Sequence, residues 1–166
     1  NVLGDAARKE LIRRPPRIRD LHDTLVQIRR RETHPDYAFD NDIAPIRRRL
    51  AMQMERIRFI LPERSQELYD AGDALHNCVG SYADRVRDGK THIVLMADDR
   101  GKLTACIEVK DGTIRQAKLD CNRSVAQKTV INDEIVAWAQ RVGLRYDTCP
   151  DIKPPTSAST ATAATA

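Results

Sequence analysis

With 166 residues, the chain is long enough for one domain with its own core, and 41% hydrophobic and 31% charged residues are typical of a globular protein with a charge-rich surface. No apolar run approaches the roughly 18 residues of a membrane-spanning helix, and the arginine-rich beginning lacks the apolar block of a signal peptide, so we expect a cytoplasmic protein that does not bind membranes. The net charge is +4, and residues 1–60 carry fourteen Arg and Lys against nine Asp and Glu, which favours a polyanionic partner but equally fits solvated helix faces.

Two basic amphipathic helices are predicted in the first sixty residues. Apolar residues recur at helical spacing over 17–31 and again from Ile43 to Ile57, with arginines on the opposite faces. If these helices pack antiparallel, their arginine triplets would form a phosphate-binding patch, although spacing alone does not establish that they converge. The predicted nucleic-acid-binding residues are Arg29, Arg30, Arg31, Arg47, Arg48 and Arg49.

Helical segments and then strands are predicted beyond residue 61. Pro62 is suited to be the first residue of a helix that continues to about Asp73, and one or two further helical turns should end at Gly89. The apolar period then changes to two, which predicts strands over 91–97, 103–110 and 113–120. Asp111-Gly112 is a strong signal for a two-residue hairpin turn between the last two strands.

The register of this hairpin decides where Gln116 lies. With a tight turn and regular pairing, Val109 opposes Ile114, Ile107 opposes Gln116, and Glu108 faces Arg115 in a solvent-exposed ion pair. Gln116 would then lie on the apolar face. A buried amide without partners costs about 1–3 kcal/mol, so Gln116 should join a polar network, open onto a pocket, or sit at a solvated strand end.

A long helix over 124–142 is predicted to complete the domain, with Ser124 as its N-cap, Gln127 completing a capping box and Trp138 in the core. The fold class is therefore α+β, in which a three-stranded antiparallel meander packs against two or three helices. The expected organisation is a basic helical region over 1–60, an α+β domain over 61–149, and a low-complexity tail or linker over 150–166. A first residue other than Met is compatible with a fragment of a longer protein.

The stretch Leu75–Tyr82 places an imidazole, an amide, a thiol, a glycine and a phenol within eight residues. Together with Gly89-Lys90-Thr91, Ile107-Glu108-Val109, Gln116 and Asn122, it resembles the PcfJ-like proteins, which are known from conjugative plasmids and other bacterial mobile elements. The resemblance runs from about residue 61 to residue 138. It departs from the family at Asp120, where a small residue is usual.

This resemblance implies an accessory factor that helps present DNA-processing complexes to a conjugation machine and associates with nucleic acid and possible mobile-element partner proteins. It implies no particular reaction. Joined to the arginine-rich beginning, it predicts a non-enzymatic protein that binds the phosphate backbone of DNA or RNA. One alternative is a protein–protein adaptor that docks an acidic partner, and another is an enzyme. No cofactor or metal is expected.

Three interpretations of the central stretch remain open from the sequence. In the first, Cys78 is a catalytic nucleophile, His76 or His92 is its base, and Gln116 or Asn122 orients the base or stabilises an oxyanion. In the second, a metal is bound by a histidine and three cysteines, although the chain lacks the closely spaced cysteine pairs that zinc favours. The four residues of that second set are His76, Cys78, Cys106 and Cys121.

In the third interpretation, Cys78 is a small buried side chain within a structural network. Polar side chains from the helical part and from the sheet would then hydrogen-bond to one another and join the two layers. The members of this network are His76, Tyr82, Gln116 and Asn122, with support from Asn77 and Glu108.

Overall fold

The structure, a computed structural model, describes residues 33–39 and 43–154. The chain divides into two units, Asn1–Asp36 and Tyr37–Ala166. Only residues 33–36 of the first unit are described, so the helix predicted over 17–31 and its triplet Arg29–Arg31 lie outside the described residues.

A five-stranded antiparallel sheet, in which the strands follow one another in sequence order, forms the centre of the second unit. The strands are β1 (Met52–Met54), β2 (Ile57–Ile60), β3 (His92–Asp98), β4 (Leu103–Lys110) and β5 (Thr113–Lys118). The α+β class is confirmed, and the last three strands match the predicted ones closely. The expectation of a three-stranded meander is wrong, because β1 and β2 extend the sheet beyond β3.

Four α-helices accompany the sheet within the described residues: α1 (Ile43–Leu50), α2 (Ser65–Ala74), α3 (Ala83–Arg87) and α4 (Thr129–Val142). The helix expected from Ile43 to Ile57 ends at Leu50. Met54 and Ile57 fit a helical repeat, but they fit the alternation of a strand equally well, and they pair with each other across β1 and β2. The helix expected from Pro62 begins at Ser65. Short 3₁₀ turns lie at Val79–Tyr82, Asp120–Asn122 and Val125–Gln127.

The sheet is covered by helices on both faces, and each face has its own apolar cluster. On one face α1 and α4 pack on the sheet, and Trp138 of α4 is fully buried. Its ring stacks on Phe59 at a centroid distance of 4.6 Å, and its Nε1 donates to the Leu50 carbonyl at 2.9 Å. On the other face α2 and α3 cover β3 and β4. Burial of each large side chain contributes about 1.5–3 kcal/mol, so both helical layers stabilise the sheet.

A β-bulge between β4 and β5 changes the register that determines the position of Gln116. Lys110 pairs with Thr113 and Val109 with Ile114, as expected, but the register shifts next so that Glu108 pairs with Gln116. Arg115 is the extra, exposed residue of the bulge. The predicted pairs Ile107–Gln116 and Glu108–Arg115 are therefore wrong. The regular register would bury the Gln116 amide in the apolar face, whereas the bulge places it beside a carboxylate.

The chain remains packed on the sheet beyond α4. Thr113 forms a single parallel bridge with Arg145. Asp151 and Ile152, which the sequence pattern assigns to the tail, are both buried. The Asp151 carboxylate accepts from Lys118 Nζ at 2.7 Å and from the Ala117 amide at 3.2 Å. Within the described residues, no helix is long and apolar enough to cross a bilayer.

Candidate functional site

The stretch Leu75–Tyr82 forms a bend followed by a 3₁₀ turn, because α2 ends at Ala74. His76 adopts a left-handed backbone conformation with φ +49°. The Asn77 amide then donates to the Gly72 carbonyl at 2.9 Å, and the Asn77 side-chain oxygen accepts from the Val79 amide at 3.1 Å. This asparagine turn directs the chain into the Val79–Tyr82 turn, so that Asn77 and Cys78 face the sheet.

A small pocket of about 30 Å³ lies between this bend, β4, β5 and the Asp120–Asn122 turn. Its volume is enough for about two water molecules, so the pocket is too small to enclose an organic ligand. Cys78 is exposed, and its Sγ lies 4.0 Å from Asn122 Oδ1. The pocket does not include His76, His92 or Cys121, but it brings together the other predicted catalytic and network residues. These residues are Asn77, Cys78, Tyr82, Glu108, Gln116 and Asn122.

A hydrogen-bond network centred on Glu108 joins the helical layer to the sheet through this pocket. Gln116 Nε2 donates to Tyr82 Oη at 2.7 Å and to Glu108 Oε2 at 2.9 Å. Glu108 Oε1 accepts from Thr91 Oγ1 at 3.0 Å and from Arg85 at 3.1 Å. Only 6% of Glu108 is exposed, so these donors compensate a carboxylate that water barely reaches. The geometry matches the network interpretation for Tyr82 and Gln116, but His76 is not a member.

The thiols near the pocket differ in exposure. Cys106 is buried and accepts from Asn77 Nδ2 at 3.3 Å. Burial raises the pKa of the Cys106 thiol to about 11. Because of the bulge, Cys106 and Gln116 lie on the same face of the sheet. Cys78 and Cys121 are exposed, so they are the thiols that a reagent in solution can reach.

Neither histidine considered as a base lines the Cys78 pocket. His76 lies in a separate cleft of about 430 Å³. His92 pairs with Val109 on the opposite face of the sheet from Glu108, and burial lowers its pKa. Across residues 33–39 and 43–154, no three His, Cys, Asp or Glu side chains are arranged to hold a metal ion. The set of His76, Cys78, Cys106 and Cys121 thus does not converge there.

The pocket and the cleft are separated by two short segments, 75–78 and 120–122. Leu75 and His76 line the cleft, whereas Asn77 and Cys78 line the pocket. In the second segment Asp120 faces the cleft and Asn122 the pocket. The Cys121 amide donates to the Leu75 carbonyl at 2.8 Å, so the two segments are tied together.

Both segments contain left-handed backbone. Cys121 and Asn122 have φ +54° and +57°, comparable to His76. Such conformations cost about 1–3 kcal/mol for residues other than glycine, and they concentrate at functional sites. The cleft residues on the sheet side were missed by sequence reasoning. The departure from the family pattern at Asp120 was the one signal that pointed to this region.

The described arginine triplet, Arg47–Arg49, is partly engaged within the fold. Arg47 forms an ion pair with Glu63. Arg49 donates to the carbonyls of Val142 and Gly143, both at 3.1 Å, and so caps the end of α4. Arg48 is exposed and makes no hydrogen bond or ion pair with any described residue.

Comparison with known proteins gives one family. The family model described as PcfJ-like protein matches residues 2–131. Neither the curated proteins nor the solved structures contain a match to the chain.

Proposed function

Since the chain belongs to the PcfJ-like protein family, we propose that it is a cytoplasmic, nucleic-acid-associated accessory protein of a bacterial mobile element. The observation that carries this proposal is the charge distribution, since residues 1–60 hold fourteen Arg and Lys against nine Asp and Glu. Aromatic residues are only 4% of the chain, so base stacking contributes little. Contacts between guanidinium groups and backbone phosphates would therefore dominate the affinity.

The surroundings of Arg48 support this use of the arginines. Arg47 and Arg49 are held by Glu63 and by the end of α4, which fixes the orientation of α1. Arg48, between them, is left exposed to solvent. Arg56 and Arg58 follow on the β1–β2 hairpin and are also exposed. A polyanion would thus meet guanidinium groups that no described carboxylate neutralises.

The proposal is tested by fluorescence anisotropy with labelled duplex DNA and RNA over a salt series. Each phosphate contact contributes about 0.9 to the slope of log affinity against log salt for B-form DNA. We expect Arg48→Gln to reduce the slope by about one such contact, and Arg29→Gln, Arg30→Gln and Arg31→Gln together to reduce it by up to about three. Arg47 and Arg49 are left intact because they stabilise the fold.

A control variant replaces two exposed cations outside this region, with Lys110→Gln and Arg141→Gln, so its charge change lies between those of the two test variants. The control should keep the wild-type slope. Equal slopes for all variants would contradict the proposed arginine contacts. Salt-sensitive binding to an acidic protein, with none to DNA or RNA, would instead indicate the adaptor.

A second candidate function, an enzyme with Cys78 as nucleophile, is favoured by one observation. The exposed thiol opens onto the same pocket as Tyr82, Gln116 and the buried Glu108. With Cys121→Ser, iodoacetamide would report on Cys78 alone among the exposed described thiols. Alkylation well below the usual thiol pKa of about 8.5 would favour catalysis, and an inert thiol would favour the structural network.

A further inference from the structure

The cleft of about 430 Å³ takes no part in the proposed function. It lies between the end of α2, the β3–β4 turn and the start of α4. Ligand pockets commonly enclose roughly 300–1,000 Å³, so this cleft is large enough for a small organic molecule. Its polar lining comes from four segments of the chain: His76, Asp98, Lys102, Thr104, Asp120 and Lys128.

Two lysines give the cleft positive charge beside the carboxylates of Asp98 and Asp120. Neither Lys102 nor Lys128 forms a salt bridge with any described residue. Lys128 immediately precedes α4, whose first turn contains no acidic side chain. Together with the His76 imidazole, these ammonium groups offer several donors to one anionic group. A phosphate with its three acceptor oxygens fits that donor set.

The two carboxylates of the cleft are already partly occupied. Asp98 Oδ1 accepts from the amides of Arg100 and Lys102, at 3.0 and 2.8 Å. Asp120 pairs with Arg123, whose hydrogen bond holds the pKa of Asp120 below its ordinary value. The remaining carboxylate oxygens can accept from hydroxyl or amino groups. A ligand with only negatively charged groups would be repelled by these carboxylates and would make no hydrogen bond to them. A ligand that carries both a phosphate and neutral donors would bind the lysines and the carboxylates alike.

The cleft also has an apolar part, formed by Ala74, Leu75, Leu103 and Ile131. Flat heteroaromatic groups commonly pack on such aliphatic side chains. We propose that this cleft binds a nucleoside monophosphate, with the phosphate at Lys102 and Lys128, the sugar and base donors at Asp98 and Asp120, and the base against Leu103 and Ile131.

The nucleotide could be free or could be the 5′-phosphorylated end of a nucleic-acid strand. Both present the same chemistry to the cleft. This site differs from the arginine contacts proposed above, because none of its residues belongs to the arginine-rich region. Loss of duplex binding in the arginine variants would therefore leave it unaffected, and its failure would leave those contacts unaffected.

Isothermal titration calorimetry of the full chain with AMP, adenosine, inorganic phosphate and a tetranucleotide with either a 5′-phosphate or a 5′-hydroxyl tests the proposal. We expect AMP to bind at least about tenfold more tightly than adenosine or phosphate alone, since each supplies only part of the contacts. Tighter binding of the 5′-phosphorylated tetranucleotide than of the same tetranucleotide with a 5′-hydroxyl would identify a strand end as the ligand, because both carry the same backbone phosphates. Equal binding of these two, with AMP bound in the cleft, would identify a free nucleotide.

Two variants test the placement of the ligand. Lys102→Gln with Lys128→Gln removes the phosphate donors, and Ala74→Phe fills the cleft without changing its charge. Each should weaken AMP binding by about tenfold or more, whereas Lys110→Gln with Arg141→Gln should not change it. Thermal unfolding by circular dichroism checks that the variants fold.

Three results would overturn the assignment. These are no binding of AMP or the tetranucleotide at millimolar concentration, unchanged AMP affinity in both folded cleft variants, or inorganic phosphate binding as tightly as AMP.

Discussion

At the scale of single residues, Glu108 connects more of the candidate site than any other described side chain. Its carboxylate accepts from Thr91, Arg85 and Gln116, and Gln116 extends the network to Tyr82. A carboxylate in so little contact with water is stable only while these donors remain in place. Glu108 therefore positions the amide and the phenol that face Cys78.

We predict that Glu108→Ala lowers the free energy of unfolding by about 2 kcal/mol, because the buried donors lose their common acceptor. Urea denaturation followed by circular dichroism measures this change. Asp99→Ala, at an exposed turn, is the control and should stay within about 0.5 kcal/mol of wild type. Equal costs for the two substitutions would show that the network contributes nothing to stability.

The buried Cys106 thiol predicts a dependence of stability on alkaline pH. Its pKa is about 11 in the folded chain, against an ordinary value of 9.0, so between these values the unfolded chain ionises and the folded one does not. The contribution is fully present below about pH 9 and is lost as the pH rises toward 11. We expect wild type to lose about 1 kcal/mol more than Cys106→Ala between pH 8 and pH 10, measured by urea denaturation with reductant. Parallel losses in the two proteins would refute this assignment.

The sequence predicted correctly that the Gln116 side chain would need hydrogen-bond partners. A glutamine in a strand needs partners, and Gln116 has them. Which partners it finds depends on the bulge at Arg115, which no propensity in the sequence marks. Nothing in the sequence indicated that His76, whose backbone is left-handed, lines the cleft and not the pocket of Cys78.

At the scale of elements, the β4–β5 hairpin shows how strongly a turn can be encoded. Asp111 and Gly112 both have positive φ, at +51° and +69°, as a type I′ turn requires. The turn is held from outside as well, since the Arg145 amide donates to the Gly112 carbonyl at 3.0 Å. This hairpin places Glu108 opposite Gln116, so its geometry matters for the site.

We predict that Gly112→Ala lowers the free energy of unfolding by about 1–2 kcal/mol. No atom lies near the added Cβ, so the cost comes from the backbone conformation alone. Asp111→Asn is the matched control and should be nearly neutral, because asparagine tolerates the left-handed region. Thermal denaturation compares the two variants, and a neutral Gly112→Ala would mean that the turn relaxes to another type.

The region from Ile43 to Ile60 was the least predictable element. Its apolar residues satisfy a helical repeat through Ile57, yet the chain leaves α1 at Leu50 and forms β1 and β2. Over so few residues, a helix and a pair of strands would bury similar apolar side chains. Pairing of β2 with β3 decides the outcome, and that contact spans more than thirty residues of chain.

At the scale of the whole molecule, the segment after α4 closes the second unit. Asp151 ties β5 to the Val125–Gln127 turn, since its backbone carbonyl accepts from the Ala126 amide at 2.9 Å. Composition predicted a low-complexity tail from residue 150. A buried aspartate and isoleucine within a proline-rich stretch give no periodic signal, so their packing could not be anticipated.

We predict that a chain ending at Cys149 loses about 3 kcal/mol of unfolding free energy, through lost burial of Ile152 and lost partners of Asp151. A chain ending at Pro154 keeps all of these contacts and serves as the control. Circular dichroism melting should separate the two by several degrees. Coincident melting curves would contradict a stabilising role for residues 150–154.

The paired segments 75–78 and 120–122 form a thin partition between the thiol and the cleft, joined by the hydrogen bond from the Cys121 amide to the Leu75 carbonyl. A ligand that binds in the cleft and favours one conformation of these segments must also change the surroundings of Cys78. Because such coupling is reciprocal, modification of Cys78 must change the affinity of the cleft for the ligand by the same factor. In the Cys121→Ser chain, saturating AMP should therefore change the rate of Cys78 alkylation, which makes the sulfur a built-in reporter of occupancy. An identical rate with and without bound AMP would show that the partition is rigid.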